Sequence, residues 1–360
     1  MLATRLLIFG LVLAASPAIV SAAPSYNIQV AVTGTNNRPV VFNNAGDIVF
    51  QDIDPNLTYS RANVLYANGT RIAFGLPNTE LSYVNAINER GQAVGYSFGC
   101  CDRIVHPVLL SDGQVTRLDI NGGRLRNAYD INSAGHISGE FLNDADQVHA
   151  VIYDGSNYRD LGSGGGLMTT ANYINDHDQV AGVIAPIGDA VHAFFYSDGV
   201  MTDINALSGF HNTGAYGIND LGQMIGSFSP PVTDQHEHGF LYFQGQFTEL
   251  TPGSFSRPMA INNLGQIVGT YGNGLGDPFI WQDGAYAHLN ALIDPAAGYA
   301  LQYAADINDN GKILAWGCGK HDRNACDILV LTPVPESPAW LMMASGLGLL
   351  MLRARRSRSH

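Results

Sequence analysis

The sequence predicts an all-β fold, a seven-bladed β-propeller of four-stranded blades closed by its N-terminal strand. Three observations carry the prediction. First, the phrase DINDNGKILAWG at 306–317 recurs along the chain, with its asparagine at 43, 88, 132, 175, 219, 262 and 308, in steps of 43 to 46 residues. Second, 41 glycines, 16 tyrosines and only 14% charged residues suit many short strands joined by tight turns. Third, only two strands, KILAWG and CDILVL, fit after Asn308, while one spare strand, YNIQVAV at 26–32, precedes Asn43. That spare strand completes the last blade, which removes an exposed sheet edge.

Taken in order, residues 1–23 read as a secretory signal: Arg5, an apolar run from Leu6 to Ala15, then small residues at Val20-Ser21-Ala22-Ala23 suited to cleavage. The repeat body occupies 24–332. Each unit opens with a strand ending in Asn-x-x-Gly, as in Ile218-Asn219-Asp220-Leu221-Gly222. The asparagine side chain caps a type I turn and the glycine accepts positive φ. The fourth copy sets Asp178 in the glycine's place. After the turn come an apolar strand such as QIVGTY, a variable connection, and a strand such as HAFFYSDG (192–199) ending in a tight Asp-Gly turn. A fourth strand such as VMTDI (200–204) and a second variable connection complete about 44 residues, the size of one propeller blade.

Residues 333–360 form a processing tail, uncharged from Ser337 to Leu352 and followed by Arg353, Arg355, Arg356 and Arg358. Sixteen residues of helix rise about 24 Å against a bilayer core of about 30 Å, so this is a short transmembrane helix at most. Its arginines would stay on the cytoplasmic side. Setting aside Arg5 and the four terminal arginines, 31 acidic residues leave the body near about −18, more acidic than the chain's −13. Nucleic acid is therefore excluded as a partner, because phosphate binding needs a basic face. Four cysteines in an exported chain favour disulfides. Cys318 and Cys326 bracket a short polar loop and are expected to pair; adjacent Cys100 and Cys101 are open to a vicinal bridge or to two free thiols.

Residues 192–226, HAFFYSDGVMTDINALSGFHNTGAYGINDLGQMIG, resemble the HAF repeat of bacterial extracellular proteins, and the resemblance extends over nearly all of 40–330. It implies a secreted repeat protein without an assigned reaction. The tail, with Val334-Pro335-Glu336, an apolar stretch containing Gly346 and a terminal arginine cluster, resembles a PEP-CTERM sorting signal, with Ser337 where that motif has its second proline. This resemblance implies an exosortase as partner, transient anchoring in the inner membrane, tail removal, and a final place at the surface or outside of a Gram-negative cell.

His106, His149, His192 and His238 hold one place in successive copies, and Asp277 takes it in the next. Equivalent places in neighbouring blades are too far apart to share one ion, so a structural hydrogen bond within each blade is expected. His236 and His238 in HEH lie on one side of an extended segment but bring no third ligand. Asp306, Asn308 and Asn310 before Gly311 match the opening of a calcium loop, yet Gly317 stands where the acidic closing ligand belongs, so the turn reading prevails. GSGGG at 162–166 lacks the Lys-Ser/Thr of a phosphate loop, and there is no Gly-x-Ser-x-Gly elbow. No catalytic, cofactor-binding or metal-binding residue is therefore assigned.

One rim of the predicted ring is uniform, built of Asn-x-x-Gly and Asp-Gly turns; the other carries the variable connections, where binding residues concentrate. That rim bears Asp102, Asp144, Asp146, Asp189, Asp234, Glu237 and Asp322, with Phe98, Phe210 and Phe255. It suits a cation, a sugar polymer or a basic peptide, or else it is a solvated acidic surface. The expected function is a non-catalytic binding or structural module of an extracellular matrix or exopolysaccharide. The rival is a secreted polysaccharide hydrolase or lyase with two rim carboxylates in a cleft.

Overall fold

The computed structural model describes residues 25–334 except 35–36, 54–59, 78, 100–103, 120–123, 230–235, 252–253, 273–275 and 323–324. The secretory signal, the tail from Pro335 onward with Glu336 and its arginines, Cys100, Cys101, Asp102 and Asp234 all lie outside the described residues. Among the described residues no helix is long and apolar enough to cross a membrane.

The chain is all-β. Strand β1 (Tyr26–Val32) is followed by antiparallel sets of four. These are β2 to β5 (Asn37–Phe42, Ile48–Ile53, Ser60–Leu65, Arg71–Phe74) and β6 to β9 (Thr79–Ile87, Ala93–Gly99, Val105–Ser111, Gln114–Arg117). Then come β10 to β13 (Leu125–Ile131, Ile137–Leu142, Val148–Tyr153, Tyr158–Gly162) and β14 to β17 (Met168–Ile174, Val180–Ala185, His192–Ser197, Val200–Asp203). Next are β18 to β21 (His211–Ile218, Met224–Ser229, His238–Phe243, Gln246–Glu249) and β22 to β25 (Ser256–Ile261, Ile267–Tyr271, Asp277–Gln282, Ala285–His288). The chain ends with β26 (Tyr299–Ile307), β27 (Ile313–Gly319) and β28 (Cys326–Pro333). Single parallel bridges, Ser60 with Leu81 and Val148 with Met168, tie two neighbouring pairs of sets into eight-stranded sheets.

Strand β1 lies antiparallel beside β28, Tyr26 opposite Pro333 and Ile28 opposite Leu331, so residues some 300 positions apart in the chain share one sheet. Successive sets pack face to face. Ala86 and Val94 of one set meet Ile131, Ile137, Phe141 and Val151 of the next, and Ala181 and Ala193 meet Met224 and Phe240. The alternation of the strands thereby buries both faces, as a stack of sheets with no solvent layer between them requires.

Two features depart from the sequence reading. The variable connections after β17 and β25 contain short helices: α1 (Ile204–Ser208), capped by the Asp203 carboxylate on the Ala206 N–H at 3.1 Å and ended by Gly209 at φ 71°, and α2 (Leu289–Leu292). More consequentially, every opening strand of a set carries a register shift at the same place, for example between Val84 and Ala86, Ala128 and Asp130, and Ala304 and Asp306. A bulge of this kind sets two residues of one strand against one of its partner and bends the strand. It also brings a carbonyl close to the facing strand: a Cβ on Gly182 would lie 2.1 Å from the Thr170 oxygen, which is why glycine follows the Val-Ala pair there.

Candidate functional site

The Asn-x-x-Gly turns make the frame of the site. Within each turn the asparagine oxygen accepts backbone N–H groups, as Asn88 Oδ1 does from Arg90 and Gln92 at 3.0 Å, and the glycine N–H closes the turn onto the asparagine carbonyl. The amide nitrogen has a second duty that spacing alone does not show. Asn43 donates to the carbonyl of Asn88, Asn88 to Asn132, Asn132 to Asn175, Asn175 to Asn219, Asn219 to Asn262 and Asn262 to Asn308, at 2.9–3.1 Å. Asn308 then donates back to the carbonyl of Asn43 at 3.3 Å. All seven asparagines are buried, so each of these bonds satisfies a group that would otherwise be costly.

The residue after each asparagine, Asn44, Glu89, Ser133, Asp176, Asp220, Asn263 or Asp309, carries oxygen and faces an open cavity of about 300 Å³. Most of these side chains also tie neighbouring turns: Asp176 accepts from the Ser133 N–H at 2.7 Å, Asp220 from Asp176 at 2.8 Å, and Asp309 from Asn263 at 2.7 Å. Burial and the nearby carboxylates Asp309, Asp176 and Asp47 push the Glu89 carboxyl up despite its bond from the Asn44 N–H. The residue before each asparagine, Phe42 or one of six isoleucines, forms an apolar collar beneath this mouth.

A second cavity of about 310 Å³ shares Ile218, Ile261 and Asp306 with the mouth and is walled by the bulge residues, among them Asn85, Tyr129, Asp130, Tyr173, Tyr216 and Met259. Asp130 accepts the N–H of Ile131 at 2.8 Å and of Ile174 at 2.9 Å; Asp306 does the same with Ile307 at 2.8 Å and Phe42 at 3.0 Å. Each carboxyl therefore bridges its own set to the next one. Burial pushes both up to about 7, against the lowering effect of those N–H bonds. Burial and the neighbouring Asp130 also raise the Tyr173 hydroxyl well above the ordinary phenol range.

The repeated histidines behave as the sequence suggests. Nδ1 of His106, His149 and His192 lies 2.8–2.9 Å from Asp119, Asp160 and Asp203, and that of His238 lies 2.6 Å from Glu249. Each pair joins the third and fourth strands of one set. His236 lies edge-on to Phe255. Asp306, Asn308 and Asn310 do not converge on an ion site: Asn308 Oδ1 accepts from Asn310 and Lys312, and Asp306 is taken by Phe42 and Ile307. Gly162 ends β13, and the rest of the GSGGG stretch lies in the connection to β14.

Asp144 and Asp146 share one connection, while Asp189, Glu237 and Asp322 fall on separate sets. Asp144 pairs with Arg124, Asp189 stands 3.7 Å from His192 Nε2, and the Asp322 carbonyl accepts from Ala325. Glu237 has one buried carboxylate oxygen without a hydrogen-bond partner among the described residues. Asp146 adopts a left-handed turn at φ 57°. Phe210 stacks on Phe228, 4.0 Å between ring centres, so it belongs to the packing beneath the rim. The same rim exposes large apolar side chains: Ile104 at 52% and, on three consecutive connections, Leu167 at 65%, Ile187 at 76% and Leu207 at 50%.

Cys318 and Cys326 form a disulfide between facing residues of β27 and β28. Closing this short loop restricts the unfolded chain, so Cys318→Ala/Cys326→Ala lowers the unfolding free energy by about 2 kcal/mol. Urea unfolding of the two proteins, followed by fluorescence, measures the difference.

No family model and no curated protein matches this chain. Solved structures do match. The β-propeller domain of the Trilobed protease from Pyrococcus furiosus aligns over 85% of this chain and 94% of its own, with a TM-score of 0.54 and 9% identity. The chain folds as a β-propeller. YCF48 bound to D1 peptide aligns over 87% of this chain and 99% of its own (TM-score 0.50, 11% identity). A prolyl endopeptidase aligns over 87% of this chain (TM-score 0.53, 9% identity), and the propeller spans 51% of that enzyme's length. At these identities the likeness is one of fold. The Pyrococcus propeller is described as having an open velcro topology, whereas here β1 pairs with β28.

Proposed function

We propose that this propeller has seven blades in a ring closed by β1, and that it is exported through its N-terminal signal and sorted to the surface of a Gram-negative cell by exosortase recognition of its tail. There it acts as a non-catalytic binding module for a matrix polymer, an exopolysaccharide of the producing cell. The carrying observation is the contrast between the two rims. On the uniform rim the repeated asparagines are consumed in blade-to-blade bonds. On the variable rim Leu167, Ile187 and Leu207 stand exposed on three consecutive connections, the middle one also carrying Asp189. Exposed apolar groups beside acceptors match a sugar polymer, which offers C–H faces and hydroxyl donors.

The full chain is expected to be retained on the producer's immobilised exopolysaccharide, and Leu167→Asp/Ile187→Asp to lose roughly ten-fold in affinity, about 1.4 kcal/mol. Absence of binding by the wild type refutes the reading. Release of new reducing ends from the polymer would instead make the protein a hydrolase.

A further inference from the structure

The axial channel carries a feature that polymer binding on the opposite rim does not use. Its mouth and inner chamber together present Glu89, Asp130, Asp176, Asp220, Asp306 and Asp309, and among the described residues no Lys, Arg or His lines either cavity. Glu89 and Asp176 are exposed and the other four half-buried, so their negative charges crowd one another around shared space, which favours a positive charge among them. Two backbone N–H groups on each of Asp130 and Asp306 supply dipoles but no cation. Arg257 stands over the Tyr216 ring at 4.8 Å, outside the chamber lining.

We propose that the channel is a binding site for a linear aliphatic polyamine, one ammonium held in the chamber at Asp130 and Asp306 and the next at the acidic mouth. Four observations converge on this chemistry. The axis runs acid, apolar collar, acid, which matches ammonium, methylenes, ammonium. The chamber walls include the phenol rings of Tyr129 and Tyr173, whose faces attract an organic ammonium, while the Tyr216 ring already carries the Arg257 guanidinium, whose charge also reaches Tyr173. The Tyr173 hydroxyl, raised by burial and by the charge of Asp130, has no hydrogen-bond partner among the described residues and lines the chamber. A hard metal ion fits less well, because no group of three His, Cys, Asp or Glu among the described residues is placed to hold one.

Binding is coupled to proton release. With Asp130 and Asp306 pushed up to about 7, and with Asp176 acting on Asp130 and both Asp130 and Asp309 acting on Asp306 to raise them further, the chamber is neutral in mild acid and anionic above neutrality. Polyamine affinity therefore rises with pH between 5.5 and 8.

The test is calorimetric titration of the full chain with spermidine, with calcium chloride as the control ion. The wild type is expected to bind spermidine at pH 8 and to lose roughly ten-fold in affinity at pH 5.5. Two variants probe the chamber independently. Asp130→Asn/Asp306→Asn removes the charge. Ala260→Tyr fills the cavity with a side chain that the equivalent position of another blade already carries as Tyr173. Each is expected to weaken binding by at least about ten-fold, while thermal unfolding without ligand shows both variants folded. Absence of spermidine binding, equal affinity for calcium, a flat pH response, or undiminished affinity in either folded variant overturns the proposal.

Discussion

Deleting residues 24–34 is expected to abolish the monomeric fold. Strand β28 lies between β27 and β1, and its residues Ile328, Leu329 and Leu331 are fully buried. Without β1 the strand becomes a long apolar edge with a row of unpaired N–H and C=O groups, a template for association with other chains. The deletion also strips Tyr26 and Ile28 from the cluster around Leu301, Ile313 and Leu331, and Ala31 and Val32 from the one around Phe50 and Ile328. Tyr26 is only 2% exposed, and loss of one buried aromatic side chain costs roughly 3–5 kcal/mol. A domain stable by about 5–15 kcal/mol does not survive that loss together with a whole ladder of strand bonds. Size exclusion and circular dichroism would show aggregate or unfolded chain. A soluble monomer melting like the wild type would mean that the first and last copies do not depend on each other, and the proposed ring would fall with it. The bonds from Asn308 to Asn43 and from Phe42 to Asp306 also link those copies, so Asn308→Ala is the milder companion, with an expected loss of about 1–3 kcal/mol for the buried group left unsatisfied.

The frame was legible because its signals are local. Asn at the first and Gly at the fourth place of each turn, Asp-Gly between the third and fourth strands, and alternating apolar residues all act within a few positions. Asp178 shows the limit of that reading. The sequence marks it as a tolerated exception, and it does adopt φ 57°, but its carboxylate also takes His136 at 2.8 Å, Asn132 at 2.9 Å and Arg159. Burial alone would raise the Asp178 carboxyl; the His136 and Arg159 bonds outweigh it and hold the carboxyl below its usual range. A glycine at that point faces glutamine in other copies, as Gly222 faces Gln179, so His136 and Asp178 are a paired exchange visible only once the blades are adjacent.

The channel escaped for the same reason. The bulge has no composition of its own, and it turns into the axis two residues that strict alternation would send to opposite faces. The signal was nonetheless in the repeat: the residue preceding the isoleucine is small or apolar in most copies, Ala86, Gly217 and Ala260 among them, and is aspartate only at 130 and 306. The variable connections carry the rim carboxylates, whereas the two cavities are walled by the turn and bulge residues of the opening strands.

Those two aspartates also dictate how stability changes with pH. Both have folded values near 7 against about 4 in the unfolded chain, so between these limits the native state holds protons that the unfolded state has released. The slope of unfolding free energy with pH follows protons bound unfolded minus protons bound native, which is negative here, so stability falls as pH rises from about 4 to about 7. Each carboxyl contributes on the order of 4 kcal/mol across that window. Carboxyls held low, Asp178 and the Asp119 that Arg117 and His106 keep down against its burial, act in the opposite sense at lower pH: their stabilisation is present above about 4 and is lost below it. Thermal unfolding without added amine should therefore peak near pH 4 and drop by several degrees at pH 8. Asp130→Asn/Asp306→Asn should flatten the limb between pH 5 and 8 and leave the acid limb in place. If the double variant keeps the wild-type slope above pH 5, the two chamber carboxyls are ionised like ordinary surface groups, and a cation has nothing there to displace.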